Sequence, residues 1–192
     1  MPRMQTITEW KQKAEIDYFS LFIPLWLAFD LWCKDKYGHS TQRNCIEALK
    51  IDEINNSTYQ NLKDFLMGTD AISETFKDYL AQLNQALLAT PFRYDRNRSK
   101  TVSFENGLIQ RNSIPNNDVY ENLIRTKGQQ HKIELISGMF ISDDMSKVYR
   151  SYIEILYQVR CKLLHGDLAP EKENERMIKY LYLTLKELMR DI

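Results

Sequence analysis

Met145-Ser-Lys-Val-Tyr-Arg-Ser-Tyr-Ile-Glu-Ile-Leu-Tyr-Gln-Val-Arg-Cys-Lys-Leu-Leu-His-Gly166 is the stretch on which the fold turns. Met145, Val148, Tyr149, Tyr152, Ile155, Leu156, Val159 and Leu163 recur three and four apart, so they line one side of an α-helix. Ser142, Asp143 or Asp144 can cap its start, and Gly166 is the natural residue to end it. The same spacing predicts helices on both sides. Thr8–Tyr37 repeats Trp10, Ala14, Tyr18, Leu21, Leu25, Ala28 and Trp32, with Thr8 as cap and Gly38 as stop. From Tyr18 this segment is apolar nearly all round, which predicts a central, enclosed helix, and Pro24 should bend it. Ser40 or Thr41 opens a short helix to Lys50, and Ser57–Met67 and Asp70–Leu88 follow. In the last of these, Ile72, Phe76, Tyr79, Leu80, Leu83, Leu87 and Leu88 make an apolar face. Past Gly166, Pro170 falls near the first turn of a helix running to Arg190, with Ile178, Leu181, Tyr182, Leu185, Leu188 and Met189 on one face. Glu171 and Glu173 at its start and Lys186 and Arg190 at its end suit the helix dipole.

Thr90–Asn117 interrupts this pattern with two of the five prolines and many polar residues. Asn106-Gly107, between Val102–Phe104 and Leu108–Ile109, is a hairpin signal. Asn117 or Asp118 then caps a helix to about Ser137, which Gly138 breaks. These readings predict an all-α fold: an antiparallel helical bundle, one domain over 1–192, with a loop or hairpin insertion at 90–117.

Composition excludes several classes of function. Basic and acidic residues balance at 26 each, so the whole molecule is not a cationic glove for nucleic acid, and any such site must be local. Cys33, Cys45 and Cys161 are odd in number, widely spaced and free of any CxxC pair, which argues against a disulfide framework or a zinc site. Reduced thiols and a polar Met1–Lys13, unlike a signal peptide, predict a cytoplasmic protein. Tyr18–Cys33 is short for a membrane span and carries Ser20, Pro24 and Asp30, so no membrane association is expected.

The chemistry concentrates in Tyr157-Gln-Val-Arg-Cys-Lys-Leu-Leu-His-Gly-Asp167. Arg160 and His165 are five apart, about 140° around a regular helix. His165 falls where the chain unwinds before Gly166, and Arg160 has a long stem, so both can address one pocket. An imidazole can move a proton at neutral pH, and a guanidinium can hold phosphate oxygens and the charge that grows on them. In RNA the 2′-hydroxyl supplies the nucleophile, so no metal or cofactor is required. The bland alternatives stay open: His165 as a residue favouring the helix dipole, Arg160 as an ion-pair partner of Asp167 or Glu154, Cys161 as a small buried hydrophobe, and His39 and His131 as surface residues. A second candidate is the basic cluster Arg93, Arg96, Arg98, Lys100 and Arg111, interleaved with Phe92 and Tyr94 and opposed only by Asp95 and Glu105. Such a loop can grip RNA phosphates and stack a base; a solvated insertion is the alternative.

At these residues the sequence resembles the HEPN family (higher eukaryotes and prokaryotes nucleotide-binding domains), helical bundles with an Arg-x4–6-His motif. Arg160, four residues, then His165 match it. Leu25-Trp-Leu-Ala-Phe-Asp-Leu-Trp32 resembles the Trp-x-Ala-Phe-Asn pattern in the first helix of one bacterial branch, which also tends to read Val-Arg-Cys-Asn-Leu-Phe-His-Gly where this chain has Val-Arg-Cys-Lys-Leu-Leu-His-Gly. The resemblance implies a metal-independent endoribonuclease working as a homodimer in a defence or toxin setting, with a possible cognate antitoxin or defence-system partner. His165 would be the acid/base group and Arg160 the phosphate clamp. Supporting positions would be Cys161, Lys162, Asp167 and Asp30. Three of these depart from the family: Cys161 replaces a polar residue, and Lys162 and Asp30 stand where the branch favours Asn. Asp167 occupies the place of a Tyr found in a nucleotidyltransferase-partnered subclass. These departures also fit a catalytically silent scaffold or accessory subunit that binds RNA or protein without cutting.

Overall fold

The structure is a computed structural model that describes residues 16–169 and 171–192. Thr8, Trp10, Ala14 and Pro170 lie outside the described residues, as does the Glu173 side chain. Six α-helices are described: α1 (Tyr18–Tyr37), α2 (Gln42–Ile51), α3 (Ser57–Met67), α4 (Ala71–Ala89), α5 (Met145–Leu164) and α6 (Lys172–Leu188). Their ends are written in the sequence. The side chains of Asp17, Thr41, Asn56, Asp70 and Asp144 accept hydrogen bonds from first-turn backbone N–H groups, each closing an otherwise orphaned donor. Gly38 (φ 65°) and Gly166 (φ 78°) end α1 and α5 in the left-handed region, where a side chain would be strained.

The all-α expectation fails between α4 and α5. That connection holds five strands: β1 (Gly107–Gln110), β2 (Val119–Glu121), β3 (Ile124–Arg125), β4 (Lys132–Ile136) and β5 (Met139–Ser142). β1 and β2 form one antiparallel pair, and β3-β5-β4 a second antiparallel sheet. The fold is therefore mixed α/β, and the non-helical insertion extends to Asp144 rather than Asn117. The helix expected from Asn117 to Ser137 is absent. Ile133, Leu135, Phe140 and Ile141 favour a pleated surface, and Ser137-Gly138, with Gly138 at φ 83°, is the two-residue turn of the β4–β5 hairpin. Asn106-Gly107 is not a hairpin turn. Phe104–Asn106 is a turn of 3₁₀ helix, and Gly107 begins β1 where that strand presses on α5. A Cβ at 107 would come within 2.6 Å of the Ser151 Oγ, so the missing side chain is what permits the approach.

This contact relocates the centre of the molecule. α5, not α1, is the enclosed helix: Ser151–Leu156 are buried without interruption for more than a turn, with β1 on one side and α2 and α3 on another. α1 buries Phe22, Trp26, Phe29 and Cys33 but leaves Leu21, Leu27 and Leu31 exposed. α6 packs on α1, α3 and α4 through Met177, Ile178, Leu181, Leu185 and Leu188. It ends at Leu188, two residues short of the expected Arg190. Ile72 and Leu88, expected on the apolar face of α4, are exposed, whereas Phe76, Leu80, Leu83 and Leu87 are buried.

Candidate active site

The C-terminal turn of α5 presents His165. Its backbone N–H donates to the Cys161 carbonyl at 3.0 Å, and the Gly166 N–H to the Leu163 carbonyl at 3.3 Å. The Asp167 and Leu168 N–H groups both turn back to the Lys162 carbonyl. His165 is thus the last residue before a tight reversal, φ −89° and ψ 0°, and its side chain faces solvent.

Arg160, one turn earlier, points elsewhere. Its guanidinium lies 5.8 Å over the Trp26 ring on α1, and Nη1 reaches the Cys161 Sγ at 3.9 Å. The side chain is half-buried, and its Nε is buried with no hydrogen-bond partner. Among the described residues no carboxylate pairs with it. Neither of the acids considered from sequence is its partner: Asp167 receives Lys162, and Glu154 is claimed by other cations. The two segments that carry the family resemblance therefore touch, Arg160 on Trp26, while no hydrogen bond joins Arg160 to His165.

The supporting positions divide. Lys162 Nζ bridges Asp95 at 2.7 Å and Asp167 at 3.1 Å, tying the end of α5 to the loop after α4. The hydrogen bond its ammonium donates to Asp95, ahead of the one it donates to Asp167, holds its pKa above the ordinary lysine value. Cys161 is buried and free, as are Cys33 and Cys45. Asp30 is buried and pairs with Lys34 at 2.7 Å, leaving its Oδ1 without a partner.

Sequence reasoning missed the network one and a half turns before Arg160. Glu154 is fully buried, and Arg43 from α2 grips it in a fork, 2.9 Å from each oxygen. The Lys50 ammonium and the Gln158 amide complete its shell. Burial pushes the carboxyl up, but Lys50 and then Arg43 overcome this and hold its pKa at about 2. Arg43 also stacks on Tyr157 at 4.9 Å. A lone acid inside Ile153-Glu-Ile-Leu156 was the available signal.

The basic cluster separates as well. Arg93 donates to the Arg98 carbonyl, closing its own loop, and Arg98 is exposed. Arg96 instead reaches back to the Asn112 carbonyl at 2.7 Å and lies 3.7 Å from Asp118. Arg96 and Arg111 line one cleft with Arg43; Arg93, Arg98 and Lys100 do not.

No protein-family model, curated protein or solved structure matches the chain. Among the described residues no group of three or more His, Cys, Asp and Glu side chains is placed to hold a metal ion, and no helix is long and apolar enough to cross a membrane.

Proposed function

We propose that this chain is a HEPN-like domain, and more particularly a metal-independent endoribonuclease that works as a homodimer in the cytoplasm, in a defence or toxin setting. The observation that carries the reading is the meeting of Arg160 with Trp26. Two motifs from opposite ends of the sequence, each similar to the same family, occupy one place in the fold. The chemistry suits it. Arg160 keeps a guanidinium free of any acid among the described residues, so its charge is open to a phosphate. His165 faces solvent, where an imidazole can exchange protons with an RNA 2′-hydroxyl or a leaving 5′-oxygen. Attack of that hydroxyl on the adjacent phosphorus forms the P–O2′ bond and expels the 5′-oxygen, which takes a proton. The products are a 2′,3′-cyclic phosphate and a 5′-hydroxyl. One Arg and one His per chain is a small set, and a twofold axis would double it.

The test is incubation of single-stranded RNA with wild type and His165→Ala, in chelator, with analysis of product ends. Cyclic-phosphate ends that depend on His165 are expected. Intact RNA with wild type, or equal cleavage by a folded His165→Ala, overturns the reading and leaves the non-cleaving scaffold.

A further inference from the structure

The cleft between α2 and the end of β1 has a charge imbalance that the fold does not use. Its two lobes have cavity volumes of about 480 and 530 Å³ and meet at Asn44, Glu47 and Arg111. Each lobe is open to solvent and of a size that admits a small ligand. Most of the cations around it are committed. Arg43 and Lys50 serve Glu154 and Glu47, Arg96 is beside Asp118, and Arg150 is beside Glu53. Arg111 has no hydrogen bond and no ion pair among the described residues, although it is half-buried and shares its lobe with Arg43 and Arg96. Burial, followed by repulsion from Arg43 and Arg96, lowers its pKa from the ordinary arginine value. A guanidinium held against two like charges raises the free energy of the empty protein. An entering oxyanion relieves that repulsion and accepts the fork of N–H donors. The other lobe has a different surface. Ala48, Ile51 and Ile109 line it, and Ile51 is 72% exposed.

We propose that this cleft is a phosphate-binding site, separate from Arg160 and His165, that takes a nucleotide phosphate on Arg111 and lays the base on the shelf of Ala48, Ile51 and Ile109. The phosphate can come from a free nucleotide or from a unit of a single strand. Glu47 projects into the junction of the lobes, but its charge is held by Arg43 and Lys50, so Arg111 remains the surplus. The proposal stands whether or not the chain cuts RNA, because no residue of the cleft belongs to the Arg160–His165 pair.

Titration calorimetry of the full chain with AMP, adenosine, inorganic phosphate and a short single-stranded oligonucleotide tests it. Wild type is expected to bind AMP or the oligonucleotide and to bind adenosine more weakly. Arg111→Gln should lose roughly ten- to a hundredfold in affinity for the phosphate-bearing probe, since a charged hydrogen-bonded pair is lost. Its melting temperature should hold or rise, because the repelled charge is gone. Should Arg111→Gln fail to fold, Arg111→Lys carries the test: it keeps the charge without the fork and should still weaken binding. His165→Ala should bind as wild type, which separates this site from catalysis. Arg111-dependent binding of AMP assigns the cleft to free nucleotides, and Arg111-dependent binding of the oligonucleotide alone assigns it to a strand. Binding of neither probe, equal binding of AMP and adenosine, or unchanged affinity in Arg111→Gln overturns the proposal.

Discussion

Glu154 and Arg160 stand on the same helix, less than two turns apart, and the protein treats their charges in opposite ways. At Glu154 both carboxylate oxygens are met by Arg43, with Lys50 and Gln158 filling the remaining directions. At Arg160 the guanidinium rests on an aromatic ring, with a buried Nε that nothing satisfies. A buried charge without partners is costly, so it survives either because partners are built around it or because the open valence has a use. Glu154 is the first case: it bolts α2 to α5. Under the proposed function, Arg160 is the second, with the exposed His165 beside it. The comparison separates structural charge from charge kept for a ligand, and four measurements can break it.

The largest effect concerns activity alone. Loss of a general acid or base lowers a rate by about 10²–10⁴-fold. His165→Ala should show a fall of that order in RNA cleavage, with no change in denaturant midpoint, because the imidazole side chain is solvent-facing and makes no hydrogen bond among the described residues. A large drop in stability would place His165 on the structural side with Glu154.

Glu154→Ala should act in the opposite sense, through stability. It leaves the Lys50 ammonium, only 2% exposed, and the Arg43 guanidinium facing each other without their acid. Breaking a buried pair in this way costs about 3–5 kcal/mol, readable as a lower urea midpoint. Replacing Lys50 with Met in the same background should recover part of it, because one of the stranded charges is then removed. A Glu154→Ala protein within 1 kcal/mol of wild type, on the order of a surface change, would mean that the network is ornamental.

How much of this contrast was readable beforehand follows from the range of each signal. Caps and stops are local, so Thr41, Asp70, Asp144, Gly38 and Gly166 placed helix ends to within a residue or two. The strands were not legible because they are two to five residues long, too short to establish a period, and the intervening polar turns resemble loop. Gly107 was misread for a different reason. Its need for a bare Cα comes from Ser151 on a distant helix, while its neighbours imitate a hairpin turn. The Arg43–Glu154 fork spans 111 positions and leaves no local trace beyond an acid in an apolar run. Arg160 and His165 stood out because residue type and spacing suggest chemistry even without contacts, and the structure joins them by no hydrogen bond among the described residues. Of the basic cluster, Arg96 and Arg111 share a cleft with Arg43 only because β1 returns beside α2, which the sequence does not announce.

Acid pH sharpens the comparison on the Glu154 side. Its carboxyl has a pKa of about 2 in the folded chain against an ordinary 4.5. A depressed folded pKa contributes stability that is complete above the unfolded value and disappears as the pH falls toward the folded one. The window is therefore from about 4.5 down to about 2, and the contribution is about 3 kcal/mol at most. Denaturant melts at pH 7 and pH 3 should show wild type losing part of this, with Glu154→Gln less pH-dependent across that interval. Parallel curves would remove Glu154 from the set of groups that set acid stability.

The smallest effect is the most discriminating. Arg160→Ala removes a guanidinium–indole contact worth about 0.5–1 kcal/mol. It also removes a buried Nε whose unmet hydrogen bond costs about 1–3 kcal/mol. The two act in opposite directions and the second is at least as large, so the denaturant midpoint should hold or rise. Arg43→Ala is the matched control, because it strips the fork from Glu154 and should lower the midpoint instead, by about 3–5 kcal/mol of stability. If the two arginines cost the same, the unpaired Arg160 Nε has no special meaning and the proposed phosphate clamp loses its physical basis. If Arg160→Ala is silent in stability but abolishes cleavage, the guanidinium is held for a ligand.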